Sequence, residues 1–353
     1  MAAGQEIHVN HEHLRALCTA IQVGFGVRPQ DAEVVTDCLV EANLAGLDTH
    51  GVIRLKLYMD RIRAGGISLD YEIRTVRENP CTALLDADNC LGPVGGKFAM
   101  DLAMAKASST GIGALVIRNC NHYGPAGHYA RMATSRDLIG ISATNTLASM
   151  PPTGGAAARQ GNNAYAIGFP AGEEPAVIVD GATSMSSWGK LFLCAQSGQD
   201  LPLGYADSQG RPTVSAPEVM AGGFLLPFAG HKGYGLAVAL ELLTGMLGEA
   251  QLDHEIPHPY KQLADPGANT FLMAALRVDC FCDLPGFKQR MDEWIRLMRA
   301  TPLASGADRI WLPGEKEAAA RRERLASGVH LNPNMVDELR TLAEEAGVAC
   351  DLG

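Results

Sequence analysis

Residues 113–124 read Gly113-Ala114-Leu115-Val116-Ile117-Arg118-Asn119-Cys120-Asn121-His122-Tyr123-Gly124. The first five are apolar and follow a helix-stopping glycine, which predicts a short buried strand; Asn121-His122 falls just past its end. Before it, Lys97–Ser108 has the pattern of a helix ended by Gly111. After it, Gly127–Asp137 reads as a helix and Ile139-Gly140-Ile141-Ser142-Ala143-Thr144 as a second strand. Farther out, strands are expected at 164–169, at 176–179 running into Asp180, at 271–279 and at 309–312. Helices are expected at 29–45, opened by Pro29 and Asp31, and at 232–248, 287–299, 315–326 and 333–346. Strands alternating with helices indicate an α/β or α+β architecture with a mainly buried sheet. The Gly/Pro-rich stretch 150–161 is the expected domain crossing or active-site loop.

A chain of 353 residues with 47% hydrophobic content has room for two or three domains and a full core. Its net charge of −10 and pI near 5.5 argue against a general nucleic-acid binder, which needs clustered Lys and Arg. The longest apolar stretch, Leu236 to Leu247, is interrupted by Glu241 and too short to span a bilayer. Met1 to Asn10 lacks a charged segment followed by an apolar run, so no secretory signal is visible. Nine cysteines, an odd number, and no Asn-x-Ser/Thr site favour reduced thiols in a cytoplasm. Cys280-Phe281-Cys282 reads as part of a strand-like core run.

The chemistry-bearing stretch is Asp48-Thr49-His50-Gly51-Val52-Ile53-Arg54-Leu55-Lys56-Leu57-Tyr58. A helix there would set an imidazole, a guanidinium and a phenol on one face, at i, i+4 and i+8. Reducing a carbonyl beside a carboxylate needs such a set: a proton donor poised near neutrality and an arginine that grips the acid. Several competing motifs fail. No Gly-x-Gly-x-x-Gly joins a strand to a helix, and there is no Walker loop or Gly-x-Ser-x-Gly elbow. His254-Glu255-Ile256-Pro257-His258 has zinc-protease spacing, but Pro257 and Pro259 oppose the helix that chemistry requires, so no metal is expected.

Nearly end to end, the chain resembles the malate/L-lactate dehydrogenase type 2 family, whose members act on 2-hydroxy and 2-oxo acids or on cyclic imines. The resemblance is carried by Asp48-Thr49-His50-Gly51-Val52, Arg118–Gly124, Gly161-Asn162-Asn163-Ala164, Val179–Ser184, Trp188-Gly189-Lys190, Gly230–Leu236 and Leu312-Pro313-Gly314-Glu315. It implies a non-Rossmann NAD(P)-binding α/β domain and a helical domain formed from both chain ends. The corresponding division is 1–118 with 290–353 for the helical part and 119–289 for the cofactor part. It also implies a homodimer and a small-molecule carboxylate substrate.

Residue by residue, the resemblance makes His50 or His122 the proton carrier and Arg54 the carboxylate clamp. Ordinary hydrogen-bonding histidines are the alternative for the first two; Arg61 and Lys56 read as surface salt bridges, and Tyr58 as either core or substrate contact. Contacts to NAD or NADP are implied at Thr146, Asp180, Gly181, Ala182, Thr183, Ser184, Lys232, Gly314 and Glu315. Asp180 could alternatively fix a histidine tautomer. Lys232 and Gly314 each open a helix, where free N–H groups favour an anion. Thr49 stands where the family has serine, and Asn163-Ala164 where it has Asn-Pro. The block Leu225–Lys232 looks like the imine-reducing members. The resulting expectation is an NAD(P)-dependent dehydrogenase of 2-oxo or 2-hydroxy acids; the alternatives are a cyclic imino acid reductase and a non-catalytic ligand-binding relative.

Overall fold

In a computed structural model that describes residues 7–352, the strand expected at 113–117 is the centre of a longer one, Ile112–Cys120, inside a seven-stranded sheet. The strands are β1 (Arg74–Glu78), β2 (Thr82–Asp86), β3 (Ile112–Cys120), β4 (Leu138–Thr144), β5 (Ala164–Phe169), β6 (Val177–Ala182) and β7 (Asn269–Arg277), in spatial order β1-β2-β3-β7-β4-β5-β6. Only β2 and β3 run parallel; every other neighbouring pair is antiparallel. The architecture is therefore mixed α/β with an antiparallel bias, because β7 returns from the far end of the chain to slot between β3 and β4.

Helices Gly92–Thr110 and Ala126–Thr134 cover one sheet face, sealing Leu115, Ile117, Phe271 and Met273. A helix at His231–Glu241, extended by a wide turn Leu242–Met246, lies across the other face. Both chain ends meet beside the first layer: Ile7–Val9 pairs antiparallel with Val329–Leu331, and His11–Gly24 packs on Pro333–Glu345. A smaller apolar cluster, including Met150, Leu191, Tyr205 and Leu225, supports the segment between β6 and the covering helix.

Several expectations are corrected. Residues 309–312 form no strand; they are the irregular lead-in to helix Glu315–Ser327. Cys280, which closes the short turn after β7, and Cys282 just beyond it are both exposed, so this pair is not core. Arg61 is no surface salt bridge: it is 3% exposed. Apart from these corrections, the stretch 150–161 is a hairpin connection, with Ala148–Met150 paired to Gln160–Gly161. The boundaries drawn at 118/119 and 289/290 fall inside β3 and inside helix Leu284–Arg299.

Candidate active site

His50 does not begin a regular helix. Asp48–His50 is a single tight turn, and the α-helix starts only at Arg54 and runs to Ala64. The turn is set by Asn43, whose Nδ2 donates to Asp48 Oδ1 at 2.7 Å and whose Oδ1 accepts from Val52 N at 2.8 Å. Arg54 folds back, its Nε donating to the Thr49 carbonyl at 2.7 Å. So the three groups converge by a turn and a helix, and not by one helical face.

His122 arrives from the end of β3, with its ring centroid 5.8 Å from that of His50 and the planes nearly parallel. Tyr58 is fully buried, and its hydroxyl lies 2.8 Å from His122 Nδ1; it is both core and site. Gly124 N–H also points at Nδ1, at 3.4 Å. The Gly124 N–H needs an acceptor there, which places the proton of the neutral ring on Nε2; the Tyr58 hydroxyl, also 3.3 Å from the His122 carbonyl, can then donate to Nδ1. His50 Nδ1 is 3.0 Å from the Thr49 hydroxyl. Burial, then the Arg54 charge, lower the His50 pKa to about 4. Burial, Arg54 and His50 together hold His122 well below the ordinary range. The expectation of an imidazole poised near neutrality is thus corrected: at pH 7 both are neutral.

The residues expected to hold a cofactor fall into two adjoining groups. Asp180 and Gly314 line a narrow cleft with a cavity of only about 30 Å³, together with Leu47, His128, Arg131 and Glu317, where helices Ala126–Thr134 and Glu315–Ser327 both begin. Gly314 must be glycine: its φ is +89°, and a Cβ would come within 3.1 Å of Ile178 N. Asp180 Oδ2 accepts from Gly127 N at 2.9 Å, so it caps a helix and does not orient a histidine; burial raises its pKa to about 6. The Glu315 carboxylate is engaged internally, by Leu312 N and by Arg299.

The second group continues along the end of β6. Thr183 and Met185 bond to the 226–228 backbone, which leads directly into Lys232 at the start of its helix. Thr146 Oγ1 donates to Asn162 Oδ1 at 3.1 Å, and Asn162 Nδ2 reaches Ser184 Oγ at 3.4 Å. Thr183 Oγ1 is buried with no partner, nothing lies within 4 Å of a Cβ built on Gly181, and Lys232 is exposed at a helix start that carries no side-chain cap. Unsatisfied donors beside open backbone, at the start of a helix, suit a polyanionic dinucleotide. Residues that the sequence left unmarked are Tyr260, whose hydroxyl accepts from Arg54 Nη1, and His128 and Arg131 in the cleft. No spacing rule reaches Tyr260, 206 residues from its partner. His254 sits in a turn and His258 in the loop after it, so they do not share a helical turn.

Two neutral imidazoles stacked near an arginine form a set of groups that a dehydrogenase of small acids can use. Residues 9–340 match the malate/L-lactate dehydrogenase family, and the chain belongs to it. It is 37% identical to malate dehydrogenase of Pyrococcus horikoshii over 352 residues, covering 97% of this chain and 96% of that one. The solved structure of that enzyme superposes with a TM-score of 0.90, covering 98% and 97% at 34% identity. L-sulfolactate dehydrogenase of Methanocaldococcus jannaschii is 34% identical over 96% of both chains. Delta1-piperideine-2-carboxylate reductase of Pseudomonas syringae superposes with a TM-score of 0.86 at 26% identity, covering 95% and 99%. The chain is an oxidoreductase.

Proposed function

We propose that this protein is an NAD(P)-dependent oxidoreductase moving a hydride between the nicotinamide and C2 of a small 2-oxo or 2-hydroxy acid. The observation that carries the reading is that His122, from the end of β3, meets the His50–Arg54 segment, with the two imidazole centroids 5.8 Å apart. When bound, the nicotinamide supplies or takes the hydride; its remainder would lie against Thr146, Asp180–Ser184 and Lys232, with Gly314 and the Glu315 helix start at the cleft end. Arg54 binds the substrate carboxylate and fixes C2. His122, as the Nε2–H tautomer, donates a hydrogen bond to the reacting oxygen. His50 accepts the hydroxyl proton in oxidation and returns it in reduction. Pairing a carboxylate with Arg54 cancels part of the field that depresses both imidazoles, so substrate binding raises their proton affinity.

The second reading, reduction of a cyclic imino acid, places C=N where C=O would be. It is favoured by the likeness to the piperideine carboxylate reductase and by the block Leu225–Lys232. A homodimer working in the cytoplasm completes the proposal. The thiols of Cys18, Cys38, Cys90 and Cys120 are buried and reduced, and no helix among the described residues is long and apolar enough to cross a membrane.

Absorbance at 340 nm, with NADH and with NADPH, tests both readings against pyruvate, oxaloacetate, sulfopyruvate, diketogulonate and the five- and six-membered cyclic imines. His50→Ala, His122→Ala and Arg54→Ala are expected to fold and to lose turnover. Full turnover in all three would overturn the site.

A further inference from the structure

We propose that Tyr260 forms the second wall of the carboxylate seat and that Arg61 is the positioning residue that holds it there. This rests on the reading of Arg54 as the clamp. Arg61 lies two helical turns beyond Arg54 and is buried without any carboxylate in contact among the described residues. Its guanidinium instead donates to main-chain carbonyls: Asp265 at 2.6 Å, Gln262 at 3.1 Å, Pro259 at 3.4 Å and Gly66 at 3.0 Å. It also donates to Asn121 Oδ1 at 3.1 Å, one residue before His122. A buried charge satisfied only by carbonyls ties its donors to one backbone path, because each lost bond leaves a desolvated cation behind.

The path so fixed is the segment 256–268, drawn against helix Arg54–Ala64. Gly66 allows the approach, since a Cβ there would lie 1.9 Å from Leu263 O. Gly267 N donates to Asn89 Oδ1 at 3.1 Å, and Asn89 is itself bonded to Asn121. Within the loop, Tyr260 N donates to His258 Nδ1 at 3.3 Å and His258 N to Gln262 Oε1 at 2.8 Å. The loop therefore presents one side chain, Tyr260, to Arg54, while half of that tyrosine remains open to solvent.

Arg54 spends Nε on Thr49 O and Nη1 on the Tyr260 oxygen, leaving Nη2 with no partner among the described residues. Having accepted from a cation, the phenol has its own O–H to donate, and a carboxylate lying on Nη2 is the acceptor within reach. Tyr260 thus selects for an anionic, hydrogen-bond-accepting group beside the reacting carbon and keeps Arg54 in one rotamer.

The test is steady-state kinetics with the turned-over acid, plus calorimetric binding of oxamate to the cofactor-saturated enzyme. Tyr260→Phe is expected to raise KM and weaken oxamate binding about tenfold, the size of one hydrogen bond to an ion, with kcat changed less than threefold. Arg61→Lys should reproduce the KM effect, and in the Tyr260→Phe background it should add little, which general destabilisation would not do. Unchanged KM and oxamate affinity in Tyr260→Phe would overturn the proposal, as would full additivity of the pair. If Arg54→Lys raises KM while Tyr260→Phe does not, only this inference fails; if Arg54→Lys also leaves both values unchanged, the reading of Arg54 fails with it.

Discussion

A histidine whose pKa is about 4 is an unusual store for a proton, and the cause predicts a measurable consequence. Burial contributes most to the depression and Arg54 next. In the oxidative direction the base must be neutral, so kcat/KM should stay flat from neutrality down to about pH 5 and fall only as His50 titrates. An unperturbed histidine would begin to fail near its usual value of about 6.5. Arg54→Gln removes a positive charge, so the His50 pKa rises and the acid limb moves to higher pH, with KM raised as well. A limb that stays in place in that variant would mean His50 is not the titrating base. Stability carries the same sign. The unfolded chain takes up these protons near pH 6.5 and the folded site only near 4, so urea midpoints should fall as pH drops across that window.

Among the elements, the turn Asp253–Glu255 is tied to the proposed site through a buried hydrogen-bond network. Asp253 is fully buried, and its Oδ2 accepts from Gln160 Nε2 at 2.5 Å, Gly161 N at 2.7 Å and Asn163 Nδ2 at 2.8 Å. Asn163 Oδ1 in turn accepts from Thr146 N at 2.9 Å. Asp253→Ala removes the acceptor of three buried hydrogen bonds, leaving Gly161 N unpaired and Gln160 and Asn163 with only the Ala237 carbonyl, and should destabilise by about 3 kcal/mol in urea unfolding. Burial and Glu241 raise the Asp253 pKa from 3.8 to about 7, so stability falls as pH rises from about 4 to about 7; Asp253→Asn, which keeps an acceptor, should flatten that slope. These links also show what a sequence can disclose. The strand at 164–169 is legible because a short apolar run is a local signal, and the helix at 333–346 because Pro333 and the apolar period both mark it. The antiparallel bias is not legible, since it depends on where β7, which begins only at Asn269, inserts into the sheet. His50, His122 and Arg54 were marked by their chemistry and by resemblance. Tyr260, Arg61 and Asp253 were not, because each acts through partners 60 to 206 residues away that no spacing rule connects.

At the scale of the whole molecule, the helix that covers the second sheet face is unfinished on its outer side. Gly235, Ala239, Leu242, Leu243, Met246 and Leu247 recur at helical spacing and face solvent, the four large ones 44% to 57% exposed. A contiguous apolar stripe of this kind is a contact surface, and in the proposed homodimer a second copy of the chain would cover it. Small residues at Gly235 and Ala239 let two such helices approach closely, and a stripe that is apolar along its length is self-complementary about a two-fold axis. Because the same helix opens at His231-Lys232, that contact would tie the turn proposed to face the cofactor to the subunit boundary. A stable dimer needs roughly 800 Å² per partner, so two central charges should suffice to break it. Leu243→Glu with Met246→Glu is expected to convert a dimer to a monomer in sedimentation velocity at micromolar concentration. Both residues are on the solvent side of the helix, so the far-UV spectrum should be unchanged while turnover drops with the loss of the neighbouring subunit's support. A wild-type protein that sediments as a monomer, or a double variant that remains dimeric, would remove this face from the assembly.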